Sequence, residues 1–195
     1  MARSAAKGSR WRGSRWRIAG WSIAALLLLL PVIAMQFTDE VNWDEADFAF
    51  AGTLIVGTGA AYELAARMAG NHAYRAAVGV ALAAAFILIW LNLAAGIIGT
   101  EDNSANLMYG GVIAIGMIGA VMARLQPHGM ARAFVATALA QVVVGVIAVI
   151  AGLGSGGLTW PAEILSLTGF FAALWLISAW LFRRAAREQA LVGAA

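Results

Sequence analysis

The chain has 195 residues, of which 62% are hydrophobic and only 12% charged, and its formal net charge is +3. Its mean hydropathy of +0.81 lies far outside the range of ordinary soluble domains. The absence of cysteine excludes disulfides, thiolate metal sites and cysteine nucleophiles. The composition therefore predicts a membrane protein.

Six stretches are long and apolar enough to cross a hydrocarbon core, which takes about 20 consecutive apolar residues. They cover approximately residues 18–37, 46–68, 74–98, 106–125, 131–153 and 162–182. Because the connectors are short and carry turn residues, we expect each helix to lie beside the preceding one. The sequence predicts an all-α integral membrane protein, a six-transmembrane-helix bundle of three antiparallel hairpins that occupies residues 18–183.

The first of these stretches follows a basic segment, as the apolar region of a signal peptide does. Its uncharged run is longer than that region usually is, and no small-x-small cleavage pattern follows it. We interpret it as an uncleaved first span, kinked at Pro31.

The charges are segregated along the chain. All 13 Lys and Arg residues lie in the two terminal segments or beside the even-numbered connectors, whereas eight of the ten Asp and Glu residues lie on the opposite side. By the positive-inside rule the basic side is the cytoplasm. We therefore predict two cytoplasmic tails, a basic Trp/Arg tail at residues 1–17 and a C-terminal tail at residues 184–195.

The basic tail contains the segment SRWRGSRWR, in which arginine and tryptophan alternate. Nucleic acid could bind such a segment, but attachment to a membrane span favours anionic lipid headgroups, at about 1 kcal/mol per basic residue. The predicted partners are the lipid bilayer and its anionic headgroups, and no nucleic acid.

Acidic residues concentrate in the first outer connector. Asp44 and Asp47 would share a face at the start of the second span, and Glu101 and Asp102 in the third connector could complete an oxygen shell for Ca²⁺ or Mg²⁺. The spacing does not match an EF-hand loop. Solvated charge that caps a helix and enforces topology is the favoured alternative, so neither a metal site nor a cofactor is predicted.

Polar residues inside the spans are candidates for a functional intramembrane site. Glu63 is an acidic residue well inside a predicted span, and Arg67 one turn later suggests a structural ion pair rather than a proton relay. Asn92 and Gln141 are uncharged and deeper. They are expected to hydrogen-bond between helices, with a polar substrate site as the alternative.

Motifs for enzymatic chemistry are weak. The run GLGSGG at residues 152–157 satisfies G-x-G-x-x-G, but it follows an apolar helix rather than a strand, so we interpret it as a turn. His72 and His128 lie in inner connectors and lack metal-ligand spacing. We therefore predict that the protein is not an enzyme, and rank lipid modification by these histidines below the other functions.

The segments VNWDEADFAFAGTLIVGTGAAYELAAR and NLAAGIIGTEDNSANLMYGG resemble uncharacterised multi-pass inner-membrane proteins of proteobacteria. The resemblance covers approximately residues 40–185 and implies a location in the bacterial inner membrane, with no activity attached. The favoured function is a non-catalytic accessory or structural membrane component. The candidate protein partners are another protein or further copies of this chain in a homo-oligomer. The alternative is a small transporter or channel for cations or protons.

Overall fold

A computed structural model describes residues 20–38, 42–68, 70–100, 102–156 and 160–193. This part of the chain is helical and contains no strand. The helices are α1 (Gly20–Ala34), α2 (Glu45–Met68), α3 (His72–Ala94), a 3₁₀ turn (Ser104–Leu107), α4 (Met108–Met122), α5 (Pro127–Ile150) and α6 (Ala162–Gly193).

Five of these helices are long and apolar enough to cross a membrane: α2, α3, the 3₁₀ turn with α4, α5 and α6. The described part of α1 is apolar but shorter, and it continues past Pro31 to Ala34. The predicted all-helical, multi-span character is confirmed. Hydropathy locates spans well because it is a local property of the sequence.

The chain divides into two compact units, Met1–Ala61 and Tyr62–Ala195. In the first unit most side chains of α1 are exposed, and the indole of Trp21 lies against Gly59 of α2. In the whole of α2 the buried residues are Ala51 and Ile55. A helix that is apolar all round and exposes most of its surface is typical of a membrane span.

In the second unit α5 packs antiparallel between α4 and α6. The rings of Phe134 and Trp175 stack at a centroid distance of 5.8 Å, and farther along α5 the small Gly145 accommodates Thr168 of α6. On the other side of α5, a Cβ atom on Gly119 would lie 2.6 Å from the Cβ atom of Ala133. Small residues thus let the backbones approach closely, as they do in membrane helix pairs.

α3 packs mainly against α6, also antiparallel. The hydroxyl of Ser178 donates to the carbonyl oxygen of Ala77 at 2.9 Å, and the rings of Tyr74 and Phe182 meet edge to face at 5.2 Å. The order of packed helices in this unit is therefore α3, α6, α5, α4.

This order differs from the predicted three hairpins. The expectation that each helix packs on the preceding one is correct for α4 with α5 and for α5 with α6. It is wrong for α3 and α4, which share only a small contact while α3 packs along α6. α3 buries alanines on one face, among them Ala77, Ala81 and Ala84, and this smooth face fits α6 closely.

α6 extends beyond the predicted span end at residue 182 and continues to Gly193, a length of 32 residues. At 1.5 Å per residue it measures about 48 Å, against a hydrocarbon core of about 30 Å. Its last turns contain good helix formers and an ion pair between Arg184 and Glu188 at 2.9 Å. The predicted tail boundary at residue 184 thus falls inside a continuous helix.

Candidate functional site

Asp44 and Asp47, the first pair of the predicted cation site, form a reciprocal helix cap. The carboxylate of Asp44 accepts from the backbone N–H groups of Ala46 and Asp47 at 2.8 and 2.9 Å. The carboxylate of Asp47 accepts from the backbone N–H of Asp44 at 3.0 Å. This is a capping box with Asp in the place of the usual Glu, and it satisfies donors that the first turn of α2 leaves free.

An aromatic pair reinforces this cap. Trp43 precedes the capping residue and contacts Phe48, the fourth residue of the helix, with ring centroids 5.2 Å apart. The arrangement is a hydrophobic staple, which fixes the angle at which the chain enters a helix. Residues 43–48 therefore act together as the start signal of α2.

The structure describes only one residue of the second pair in the predicted cation site. Asp102 is exposed in the loop between α3 and the 3₁₀ turn, and Glu101 lies outside the described residues. Within the described ranges, no group of three or more His, Asp or Glu residues could hold a metal ion. The structure thus brings Asp44 and Asp47 together as a helix cap.

Glu63 forms the ion pair that its spacing predicts. Its carboxylate lies 3.2 Å from a guanidinium nitrogen of Arg67, one turn along α2. The side chain of Arg67 is 70% exposed, so the pair contributes little to stability. Glu63 therefore lies close to the end of its helix, in a pair open to solvent or headgroups.

Asn92 lies beside the 3₁₀ turn, where a second asparagine organises the loop. The Asn92 amide donates to the carbonyl oxygen of Asn106 at 3.1 Å. The buried side chain of Asn106 accepts from the N–H groups of Ile97 and Ile98 at 3.1 and 2.9 Å, and donates to the carbonyl oxygen of Thr100 at 2.7 Å. Asn92 and Asn106 thus pair off to close the loop after α3.

Gln141 is fully buried on α5, and neither of its amide atoms has a hydrogen-bond partner in the described structure. Four more buried polar atoms share this condition: the Asn92 side-chain oxygen near the 3₁₀ turn and, on the helices next to α5, the Tyr109 hydroxyl, the Thr168 hydroxyl and the Trp175 indole nitrogen. Exposure of Gln141, Tyr109, Thr168 and Trp175 ranges from 0% to 7%. In an apolar interior each unmet polar group is costly, so the coincidence of four on adjoining helices requires an explanation.

The intramembrane candidates Glu63, Asn92 and Gln141 therefore have different surroundings. The first is paired near the end of α2, the second bonds to a loop, and the third lies among the buried atoms of α4, α5 and α6. Sequence reasoning missed Tyr109, Thr168 and Trp175, because threonine and aromatic residues are common in spans. The signal available was the spacing of Thr168 and Trp175, which lie seven residues apart and therefore share one face of α6.

The remaining sequence features occupy separate places. His72 begins α3 and His128 lies in the first turn of α5, both exposed. In the GLGSGG run, Gly152 ends α5 with a φ of 65°, and the N–H of Leu153 donates back to the Ala148 carbonyl at 2.8 Å. This is a glycine-terminated helix end, so the described part of the run is the predicted turn.

Comparison of the chain with models of known protein families finds no match, and comparisons with curated proteins and with solved structures find none either.

Proposed function

We propose that the protein is a multi-pass protein of a bacterial inner membrane, with both termini cytoplasmic, and that it acts as a non-catalytic accessory or structural component. The observation that carries this proposal is the use made of its polar residues. Asp47 takes part in the cap of α2, Glu63 pairs within that helix, and Asn92 bonds to a loop. These side chains bond locally instead of converging on a reaction centre.

The proposed orientation is supported by the ends of the α3–α6 group. The start of α3, the α4–α5 loop and the last part of α6 are tied together, since Tyr74 donates to the carbonyl of Leu125 and Asn71 donates to that of Ala185. The described basic residues of this group lie at or near this end: Arg75, Arg124, Arg132, Arg183, Arg184 and Arg187. By the positive-inside rule it faces the cytoplasm.

The natural chain lacks cysteine, so single-cysteine variants test this orientation without background. Ser155→Cys lies in the α5–α6 loop and His128→Cys at the opposite end of α5, and both positions are exposed. We expect a membrane-impermeant maleimide to label Ser155→Cys in intact cells, and His128→Cys only after permeabilisation. The reverse pattern would invert the proposed topology.

The accessory role is tested by gentle detergent extraction of the tagged protein from its native membrane, followed by mass spectrometry of the co-purifying proteins. We expect a stoichiometric protein partner that remains bound through size-exclusion chromatography. A homo-oligomer without any other protein would contradict the accessory role and favour transport.

A small cation or proton transporter is the alternative, and the unpartnered amide of Gln141 is the observation that favours it. Transport would require Glu63 and Gln141 to line the same polar pathway for the cation or proton. Proton-coupled flux into reconstituted vesicles that is lost in Glu63→Gln and kept in Glu188→Gln would support transport. Absence of flux in the natural chain would leave the accessory role as the better explanation.

A further inference from the structure

Four of the five described residues with unmet buried polar atoms, Tyr109, Gln141, Thr168 and Trp175, belong to the neighbouring helices α4, α5 and α6. On α5, Phe134 contacts Trp175 and Gly145 contacts Thr168, so these two points define the face of α5 that packs on α6. Gln141 lies seven residues after Phe134 and four before Gly145, and at 3.6 residues per turn it shares that face. Along the helix axis, Gln141 therefore lies between the levels of Thr168 and Trp175.

Tyr109 reaches the same region from α4. Gly116 lies against Thr137 of α5, and Tyr109, two turns earlier, is on the same face of α4. Its hydroxyl lies near the Thr168 hydroxyl, but the geometry falls short of a hydrogen bond. Polar groups from three neighbouring helices thus lie within about two helical turns of one another along the α4–α5–α6 contact, and each residue is at least nine-tenths buried.

We propose that this region is a hydration site, in which bound water molecules join Gln141, Tyr109, Thr168 and Trp175. The Trp175 N–H and the Gln141 NH₂ group can only donate, the Gln141 carbonyl can only accept, and the two hydroxyls do both. A ligand must therefore both accept and donate hydrogen bonds. Since no charged side chain belongs to the set, the ligand is neutral.

Water is the ligand that fits these requirements in the smallest volume. Buried waters in proteins typically make about three hydrogen bonds to groups that lack other partners. The four side chains offer donors and acceptors in the mixture that such waters need. The site is independent of the proposed accessory role, because a rigid bundle or a transporter could enclose it equally well.

The first experiment detects the water directly. Protein with ¹⁵N-labelled tryptophan is reconstituted in lipid bilayers, and water-edited solid-state NMR measures transfer of magnetisation from water to the indole N–H groups. The Trp175 signal is assigned by its loss in Trp175→Phe. We expect strong transfer to Trp175 although its side chain is only 2% exposed, and slower transfer in Gln141→Leu. A Trp175 indole that receives no magnetisation from water would overturn the proposal.

The second experiment measures whether replacing the unmet polar groups raises or lowers the melting temperature. If the amide and hydroxyl are unpaired in a dry core, Gln141→Leu and Thr168→Val should raise the melting temperature, because each removes an unmet polar group. If water satisfies them, both variants should lower it.

Thr137→Val is the matched control for the stability measurement. Thr137 is also fully buried, but its hydroxyl donates to the Ala133 carbonyl of its own helix at 3.0 Å. It should therefore shift the melting temperature less than Thr168→Val does. A rise in both Gln141→Leu and Thr168→Val would contradict the hydration site.

Discussion

Gly145 shows how a single side chain limits the approach of two helices. A Cβ atom at this position would collide with the hydroxyl, the methyl group and the Cβ atom of Thr168, whereas a Cβ atom on Gly169 of α6 would meet nothing within 4 Å. Both glycines lie inside helices, so they differ in packing rather than in backbone conformation. Alanine substitutions at these two positions therefore distinguish the effect of helix propensity from the effect of contact between helices.

Replacing Gly145 with Ala should destabilise the protein by about 1–3 kcal/mol, because the added methyl group overpacks the contact with α6. Gly169→Ala should leave stability unchanged or raise it by up to about 1 kcal/mol through helix propensity. Thermal unfolding in detergent, followed by circular dichroism, measures both changes. Equal effects of the two variants would show that the α5–α6 contact does not depend on Gly145.

Residue-scale prediction from the sequence succeeded where the signal was local. The Glu63–Arg67 pair follows from spacing on one helix, and it is present. Gln141 was identified as a buried polar residue, but Thr168 and Trp175 were not associated with it. Their association depends on which faces of α5 and α6 meet, and that information is not contained in either span alone.

At the scale of elements, residues 43–48 of the acidic stretch form the cap and first turn of α2. A capping box and a hydrophobic staple occupy the same six residues, so the carboxylates of Asp44 and Asp47 are bonded to the backbone. Asp44 and Asp47 share a face, as the sequence predicts, and helix capping accounts for their spacing without any bound cation.

Asp44→Ala should destabilise the start of α2 by about 1 kcal/mol, since it removes the acceptor of two backbone N–H groups. Hydrogen–deuterium exchange of the first-turn amides is the appropriate measurement, and these amides should exchange faster. Glu45→Ala, at the neighbouring exposed position, is the control and should have a much smaller effect. Unchanged exchange in Asp44→Ala would argue against the cap.

At the scale of the whole molecule, the uneven distribution of charge gives the α3–α6 group a basic end. Arg183 and Arg187 are exposed, one turn apart on α6, and neither forms an ion pair with a described residue. Arg184 is instead paired with Glu188. Because α6 is longer than a hydrocarbon core is thick, these residues can lie at the level of lipid phosphates.

Replacing Arg183 and Arg187 with Gln should weaken binding of anionic phospholipid by about five-fold for each residue, which corresponds to about 1 kcal/mol. Native mass spectrometry with added phosphatidylglycerol measures the bound fraction. Arg184→Gln is the matched control, and a smaller effect is expected because Glu188 already neutralises part of its charge. Equal losses in all three positions would show that the ion pair does not matter for lipid binding.

The arrangement of helices was the part of the fold that sequence reasoning predicted least well. Short connectors favour neighbours in sequence, and this holds for α4, α5 and α6. α3 departs from it because its partner is selected by the fit of an alanine-lined face, which hydropathy does not distinguish from any other apolar face. The spans were thus predictable, while the pairing of α3 was not.

The pairing of α3 with α6 has a consequence for biosynthesis. The bond from Asn71 to the Ala185 carbonyl joins residues 114 positions apart, and that from Ser178 to the Ala77 carbonyl joins residues 101 positions apart. At about 5–20 residues per second, a ribosome needs roughly 5–20 s to make the intervening chain. During that interval α3 is already synthesised while its partner is not. The alanine-lined face of α3 is therefore not covered by α6 at any time in this interval.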